Sequence, residues 1–168
     1  MADLLILGAG GYGRTVAEAV AGQFDEICFL DDGGAPGALG PCADYLTYTG
    51  RFAYAYPAFG GNDLRGAWLQ KLTEAGYQLP RIIHPRAYVS PSAVVEEGAA
   101  VLAMACVGSR TTVRRGAIVN MGAIADHDCT VSFCVHLAPG AIVKAGNLLA
   151  PMTKVESGRV VERAAYSL

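Results

Sequence analysis

From Ile83 onward an apolar residue returns at every sixth position: Ile83, Val89, Val95, Val101, Val107, Val113, Val119, Ala125, Val131, Leu137, Val143, Leu149 and Val155. Ten of these thirteen are β-branched. A second series, four residues after each of the first, runs Ala87, Ala93, Ala99, Ala105, Thr111, Ala117, Ala123, Cys129, Val135, Ala141 and Asn147, and only Thr111 and Asn147 in it are polar. Neither a helix nor a hairpin sheet has a period of six. The pattern predicts a triangular prism in which each six-residue unit makes one flat side and one corner, and three sides close an eighteen-residue coil. The aliphatic residue points inward, and the small residue four later also fits inside. Gly98, Gly116, Gly122 and Gly140 each follow an aliphatic position by three, where a tight corner favours a residue with relaxed φ. Thirteen units make just over four coils, about 20 Å tall at ~4.8 Å per strand. Each coil covers its neighbour, so no single repeat is stable alone.

The first eighty residues follow a different rule. Leu4-Leu5-Ile6-Leu7 reads as a buried parallel strand, ended by Gly8-Ala9-Gly10-Gly11-Tyr12-Gly13. Arg14 to Ala21 has helical spacing through Val16, Ala17 and Val20. Ile27-Cys28-Phe29-Leu30 is a second strand, closed by Asp31-Asp32-Gly33-Gly34, and Ala53 to Tyr56 a third. Residues 35–50 are rich in Gly and Pro and give no clear signal. Asn62 or Asp63 is expected to cap a helix running to about Ala75, with Leu64, Trp68, Leu69 and Leu72 on one face and Gly76 as its stop. Ile82-Ile83 would be the last strand of a β-α-β-β-α-β order. The expected organisation is an α/β, Rossmann-like domain over residues 1–80 and an all-β parallel β-helix over residues 81–168.

Composition narrows the functional classes. The chain is 52% hydrophobic and 17% charged, so it can bury a core. A net charge of −2 argues against nucleic acid or a polybasic membrane surface as partner. No apolar run reaches the ~18–20 residues of a membrane span, and the start lacks the basic region of a secretory signal. Cys28, Cys42, Cys106, Cys129 and Cys134 form no CxxC pair, and read as reduced packing thiols of a cytoplasmic protein. Without zinc-ligand spacing no metal is expected.

Two places hold candidate chemistry. Gly8, Gly10 and Gly13 fit G-x-G-x-x-G between a strand and a helix, where backbone and helix N-terminus approach a phosphate. Asp31 and Asp32, ending the next strand, are placed to accept hydrogen bonds from a ribose or base. The domain is too short for a second mononucleotide half, so a single nucleotide fits better than a dinucleotide. A nicotinamide-dependent enzyme would also need a second substrate domain. In the prism, His127 falls at a corner and should face outward, where a positioned imidazole can take a proton near neutral pH. Asp126 and Asp128 flank it, although neighbouring side chains on a strand point different ways. His136 lies half a coil away and would meet His127 only across a subunit boundary. His84, before Pro85, reads as structural, and Asn120 as a corner residue.

With these residues in view, the chain resembles the sugar O- and N-acyltransferases typified by bacterial sialic acid O-acetyltransferases and by the acetyltransferase of bacillosamine synthesis. The likeness is carried by Leu5 to Arg14, Phe29-Leu30-Asp31-Asp32, Ile83-His84-Pro85, Val89 to Ala93, Val119 to Ala123, Asp126-His127-Asp128-Cys129 and His136 to Ala141. It extends to about residue 143. The resemblance implies a left-handed winding of the hexapeptide prism, a homotrimer with sites at subunit boundaries, and acetyl-CoA as co-substrate. It implies an amine or hydroxyl of a nucleotide-activated sugar as acceptor. His127 then matches the general base, Asp128 its supporting acid, and His136 a contact to the acetyl-CoA. The thioester oxygen would meet the backbone N–H of Ala145 or Gly146, with the choice open. Gly8, Gly10, Gly11, Tyr12, Gly13, Arg14, Asp31, Asp32, Gly61 and Asn62 match the nucleotide-sugar side. Tyr12 and Arg14 stand where the family usually has His and Lys. Family members usually carry two or three further coils, which grip the CoA. The competing expectation is therefore a non-enzymatic, nucleotide-binding trimeric scaffold.

Overall fold

The computed structural model describes residues 2–163; Met1 and the last five positions of the second expected domain lie outside them. The chain divides into two compact units, Met1–Pro80 and Arg81–Leu168.

In the first unit, β1 (Leu4–Leu7) is flanked by β2 (Ile27–Leu30) and β3 (Tyr54–Pro57) in one parallel sheet. All four β1 side chains are fully buried, as its unbroken apolar run requires. Helix α1 spans Gly11–Ala19, three residues earlier than the apolar spacing suggested. The glycine loop itself makes the first turn, with the Arg14 N–H bonded to the Gly10 carbonyl at 3.0 Å. A Cβ on Gly13 would lie 1.9 Å from the Gly8 carbonyl oxygen, so only glycine allows this strand-to-helix turn.

Helix α2 spans Asn62–Glu74 and differs from expectation at its start. Gly61, not Asn62 or Asp63, is the N-cap, because the Asn62 side chain is turned to the Arg65 guanidinium at 2.9 Å. Leu64 is exposed and Arg65 takes the buried position, beside Trp68, Leu69 and Leu72. At the far end Gly76 adopts φ 88°, and Tyr77 and Gly76 donate to the Leu72 and Thr73 carbonyls, each at 3.0 Å. Cys42–Tyr48, within the stretch that gave no signal, is a 3-10 helix.

Ile82–Ile83 is not a fourth strand of this sheet. It pairs with Ala100–Val101 and opens the second unit, because Ile83 is already in phase with the six-residue series. Among the described residues, fourteen two-residue strands stack on three faces. One face stacks Ile82–Ile83, Ala100–Val101, Ile118–Val119, His136–Leu137 and Lys154–Val155. The next stacks Tyr88–Val89, Cys106–Val107, Ile124–Ala125, Ile142–Val143 and Val160–Val161, and the third Val94–Val95, Thr112–Val113, Thr130–Val131 and Leu148–Leu149. The inward members of both series form one core, from Val95 and Ala99 through Ala141 and Val143 to Val155.

The corners obey one backbone rule. Positive φ recurs at Gly98, Met104, Arg110, Gly116, Gly122, Asp128, Cys134, Gly140, Gly146, Met152 and Gly158, every sixth residue without a slip. Five of these corners are not glycine. A residue therefore stands above its equivalent eighteen positions earlier, and corners stack in columns.

Leu137 is fully buried inside the prism. Leu137→Ala is expected to lower the unfolding free energy by about 2–5 kcal/mol, read by urea denaturation followed by circular dichroism.

Candidate active site

His127 and Asp128 are the two turn residues after Ile124–Ala125. Asp128 adopts φ 58°, which swings its carboxylate back toward the preceding residue, and Oδ2 lies 2.6 Å from His127 Nδ1. On a regular strand these side chains would diverge; the left-handed corner brings them together. Arg110, one coil earlier in the same column, donates from Nε to Asp128 Oδ1 at 2.6 Å and from Nη2 to Oδ2 at 2.8 Å. Those bonds, with the His127 contact adding to them, hold the Asp128 carboxyl well below the usual carboxylate range. An ionised carboxylate only accepts hydrogen bonds. Nδ1 of His127 therefore carries a hydrogen, which in the neutral ring leaves the lone pair on Nε2. The His127 side chain is 48% exposed, so Nε2 is open to a ligand.

The corner is braced from both neighbouring coils. Asp126 shapes the turn and not the ring: its Oδ1 accepts the His127 backbone N–H at 2.7 Å. The buried Thr111 hydroxyl donates to the Asp126 carbonyl and accepts the Cys129 N–H at 3.0 Å, clamping both ends of the turn. Asp128 N–H donates to the Ser109 carbonyl at 2.9 Å, and Gly146 N–H to the His127 carbonyl at 3.0 Å. Gly108 lies directly under the turn, where a Cβ would come within 2.7 Å of the His127 nitrogen. Sequence reasoning missed Gly108, Arg110 and Thr111. The signal for them was present: Thr111 is a polar break in the small inward series, and Arg110 precedes Asp128 by one coil.

His136 stands on another face of the prism. Its Nε2 is 3.1 Å from the Asn120 amide nitrogen, while Asn120 Oδ1 accepts the Met121 N–H at 2.8 Å. Asn120 thus holds a second imidazole as well as shaping its corner. Of the two backbone N–H groups left open for the thioester oxygen, that of Gly146 is engaged with His127. Among the described residues the Ala145 N–H has no acceptor. Among the described residues, a Cβ on Gly146 would meet nothing within 4 Å. All five cysteines are free thiols, and burial raises the Cys106 and Cys129 thiols above their ordinary value, which keeps them poor nucleophiles. Among the described residues no group of His, Cys, Asp or Glu side chains converges as a metal site, and no helix is long and apolar enough to cross a membrane.

The first unit holds the other candidate residues. The Ala9 N–H donates to Asp31 Oδ2 at 2.8 Å, and Gly33 and Ala35 donate to Oδ1 at 2.9 and 3.3 Å. These backbone N–H groups, Ala9 foremost, depress the Asp31 carboxyl. Asp31 thus ties the glycine loop to the end of β2. Asp32 Oδ1 accepts the Cys42 N–H at 2.8 Å. A cavity of about 340 Å³ opens beside both, with Gly34, Ala35, Gly40 and Pro41 in its wall. Arg14 Nε bonds the Ala9 carbonyl at 3.2 Å, keeping its charge at the loop formed by Gly8, Gly10, Gly11 and Gly13. Tyr12 shares a 2.8 Å hydrogen bond with Tyr56, and burial beside that phenol pushes Tyr12 well above its ordinary value, so it stays a neutral hydroxyl. Arg65, fully buried, donates to the Phe59 and Gly60 carbonyls at 2.9 and 3.3 Å and fixes the loop before Gly61 and Asn62.

Comparison with known proteins gives this geometry its setting. Residues 3–72 match the PglD N-terminal domain family. The acetyltransferase domain of PglB from Neisseria gonorrhoeae FA1090 is 33% identical with a TM-score of 0.89, over 95% of this chain and 82% of that one. The same domain in complex with acetyl coenzyme A gives 34% and 0.87, over 94% and 80%. A mutant perosamine N-acetyltransferase from Caulobacter crescentus, in complex with CoA and GDP-perosamine, gives 26% and 0.87, over 97% and 90%. The chain belongs to the hexapeptide-repeat sugar acetyltransferases that carry a PglD-type N-terminal domain. It is an acyltransferase, its second unit is a left-handed parallel β-helix, and the non-enzymatic scaffold is set aside.

Two variants probe the bracing. Thr111→Val keeps the volume but leaves the Asp126 carbonyl and Cys129 N–H unpaired, and should destabilise by about 1–3 kcal/mol in urea unfolding. Gly108→Ala pushes the His127 backbone aside; a displacement near 1 Å should lower kcat by about 100-fold with the far-ultraviolet circular dichroism unchanged.

Proposed function

We propose that the protein transfers an acetyl group from acetyl-CoA to the amino group of a nucleotide-linked sugar, acting as a homotrimer in the cytoplasm. The observation that carries the reading is the hydrogen-bonded chain from Arg110 through Asp128 to His127 Nδ1, which leaves the Nε2 lone pair facing solvent. A hydroxyl acceptor suits the same base, but the relative that names its acceptor chemistry is an N-acetyltransferase, which favours the amine.

The neutral amine attacks the thioester carbonyl carbon. As the C–N bond forms, His127 Nε2 takes the amine proton, and Asp128, already ionised, stabilises the resulting imidazolium. The tetrahedral oxygen is received by the uncommitted N–H of Ala145. The C–S bond then breaks, and the departing thiolate recovers the proton from Nε2. The products are an acetamido sugar and CoA thiol, with no covalent bond to the enzyme. His136, held by Asn120, helps place the thioester. In the first unit the N–H groups of the Gly8–Gly13 loop and the Arg14 guanidinium receive the phosphates at the α1 N-terminus. Asp31, Asp32, Tyr12, Gly61 and Asn62 line the nucleotide-sugar side.

The trimer reading is supported by one face of the prism. Its outward column is Tyr88, Cys106, Ile124, Ile142 and Val160, apolar from bottom to top, with Tyr88 58% and Val160 44% exposed. A continuous apolar stripe of this kind marks a surface that another chain covers.

His127→Ala should reduce CoA release from acetyl-CoA in the presence of a nucleotide-linked amino sugar by about 10²–10⁴-fold. The assembly mass by light scattering should stay at the trimer value. Full turnover in this variant ends the reading. Asp128 is protonated only far below the ordinary carboxylate range, so it should add no limb of its own to the wild-type pH–rate profile near neutrality.

A further inference from the structure

We infer that Arg110 is a positioning residue of the acetyl transfer, keeping Asp128 as a fixed, acceptor-only carboxylate and offsetting its charge so that His127 rests as the free base. This inference depends on the base role proposed above for His127.

The first argument is register. Arg110 and Asp128 occupy one corner column, and Arg110 is itself left-handed at φ 56°. Its backbone is anchored from the coil before, where its N–H donates to Ser92 Oγ at 3.1 Å. The next member of the column above Asp128 is Gly146, which offers no side chain. The carboxylate is therefore gripped from one side only, by a guanidinium whose origin is fixed.

The second argument is geometry. Asp128 sits on an exposed turn, where a lone carboxylate would rotate among several rotamers. Nε on Oδ1 and Nη2 on Oδ2 form a two-point fork that sets the carboxylate plane. Oδ2 is then presented to His127 Nδ1 at 2.6 Å. A single-point cation cannot fix the plane in this way.

The third argument is charge. With a neutral imidazole, the pair Asp128–His127 carries −1, and the trio with Arg110 carries zero. Protonating the ring takes the pair to zero and the trio to +1. A bare carboxylate beside the ring would favour imidazolium, and Arg110 opposes that bias. The other charged groups around the ring do not substitute for it. Asp126 faces the His127 backbone N–H from the same turn. Lys144, on the coil above, is paired with Glu162. The Cys129 thiol lies on the His127 carbonyl at 3.6 Å. The Asp128 carboxylate is paired with the Arg110 guanidinium and contacts the His127 ring, which carries charge only when protonated.

Arg110 is 66% exposed, and an exposed ion pair adds little to folding stability. Its effect is therefore expected in the chemistry and not in the melting temperature.

The experiment compares the wild-type chain with Arg110→Met, Arg110→Lys and His127→Ala, using acetyl-CoA with GDP-perosamine as the first acceptor probe. Arg110→Met should keep the melting temperature but lower kcat/KM about tenfold or more at acid to neutral pH, recovering as pH rises, since a tenfold loss corresponds to one pH unit of displaced limb. Arg110→Lys should restore part of the loss. In ¹⁵N NMR of the histidine rings, with His127 assigned from His127→Ala, the wild type should show the Nδ1–H tautomer and Arg110→Met a mixture. A loss equal at every pH, with the tautomer unchanged, overturns the role of Arg110 while leaving the acetyltransferase reading intact. Activity retained in His127→Ala overturns the base role and this inference together. Should no nucleotide-linked amino sugar be acetylated by the wild type, the tautomer comparison still decides whether Arg110 sets the ring.

Discussion

The second unit depends on one backbone constraint: a left-handed residue at every sixth position from Gly98 to Gly158. This conformation disfavours an L-residue by about 1–2 kcal/mol, yet Met104, Arg110, Asp128, Cys134 and Met152 adopt it as the glycines do. The closed prism imposes the corner whatever residue occupies it. Stacking then turns sequence separation into vertical contact. Gly108, Arg110 and Thr111 come to lie under Asp126 to Cys129, and Gly146 over them. The hydrogen-bonded chain from Arg110 through Asp128 to His127 is built along such a column and not along the chain. His127 and Asp128 meet only because the second of them is left-handed.

The first unit reaches rigidity by other means. Its turns are held by charged groups directed at backbone atoms. Asp31 gathers three N–H groups from the glycine loop and the turn after β2. Arg65, wholly buried, gathers the carbonyls that precede α2. Neither charge faces an opposite charge in these bonds; each satisfies main-chain groups that would otherwise be unpaired. The glycine loop is therefore pre-shaped, with Gly13 packed against the Gly8 carbonyl and Arg14 bonded to Ala9.

Much of this was legible in the amino-acid order. The six-residue beat of Val and Ala fixes the faces and core of the prism, and the glycines at 98, 116, 122 and 140 announce its corners. A short apolar pair such as Ile82–Ile83 satisfies both a closing α/β strand and the first prism strand; its pairing with Ala100–Val101 decides. The apolar spacing puts Leu64 inward, but Arg65 takes the buried place, and burial of an arginine is rare. Its carbonyl partners at Phe59 and Gly60 arise from a loop no periodicity describes. The contact between His127 and Asp128 was hidden by strand logic, which sends adjacent side chains apart. Arg110 and Thr111 were within reach: in the small inward series the polar residues at 111 and 147 bracket Cys129, one coil below and one above the histidine corner. Such departures from an otherwise consistent pattern are where function sits.

Solenoids of this kind can in principle lose or gain whole turns, since a change of eighteen residues leaves every inward valine in step. At the height of His127 that freedom is nominal. Excising residues 101–118 would close the prism again, with Ser90, Ser92 and Ala93 arriving where Gly108, Arg110 and Thr111 had been. A serine Cβ would press on the histidine backbone, a short hydroxyl would replace the guanidinium fork, and a methyl would replace the clamp. The prism is modular in turns of eighteen, while the contacts that hold His127 reach across adjacent turns and do not survive their rearrangement.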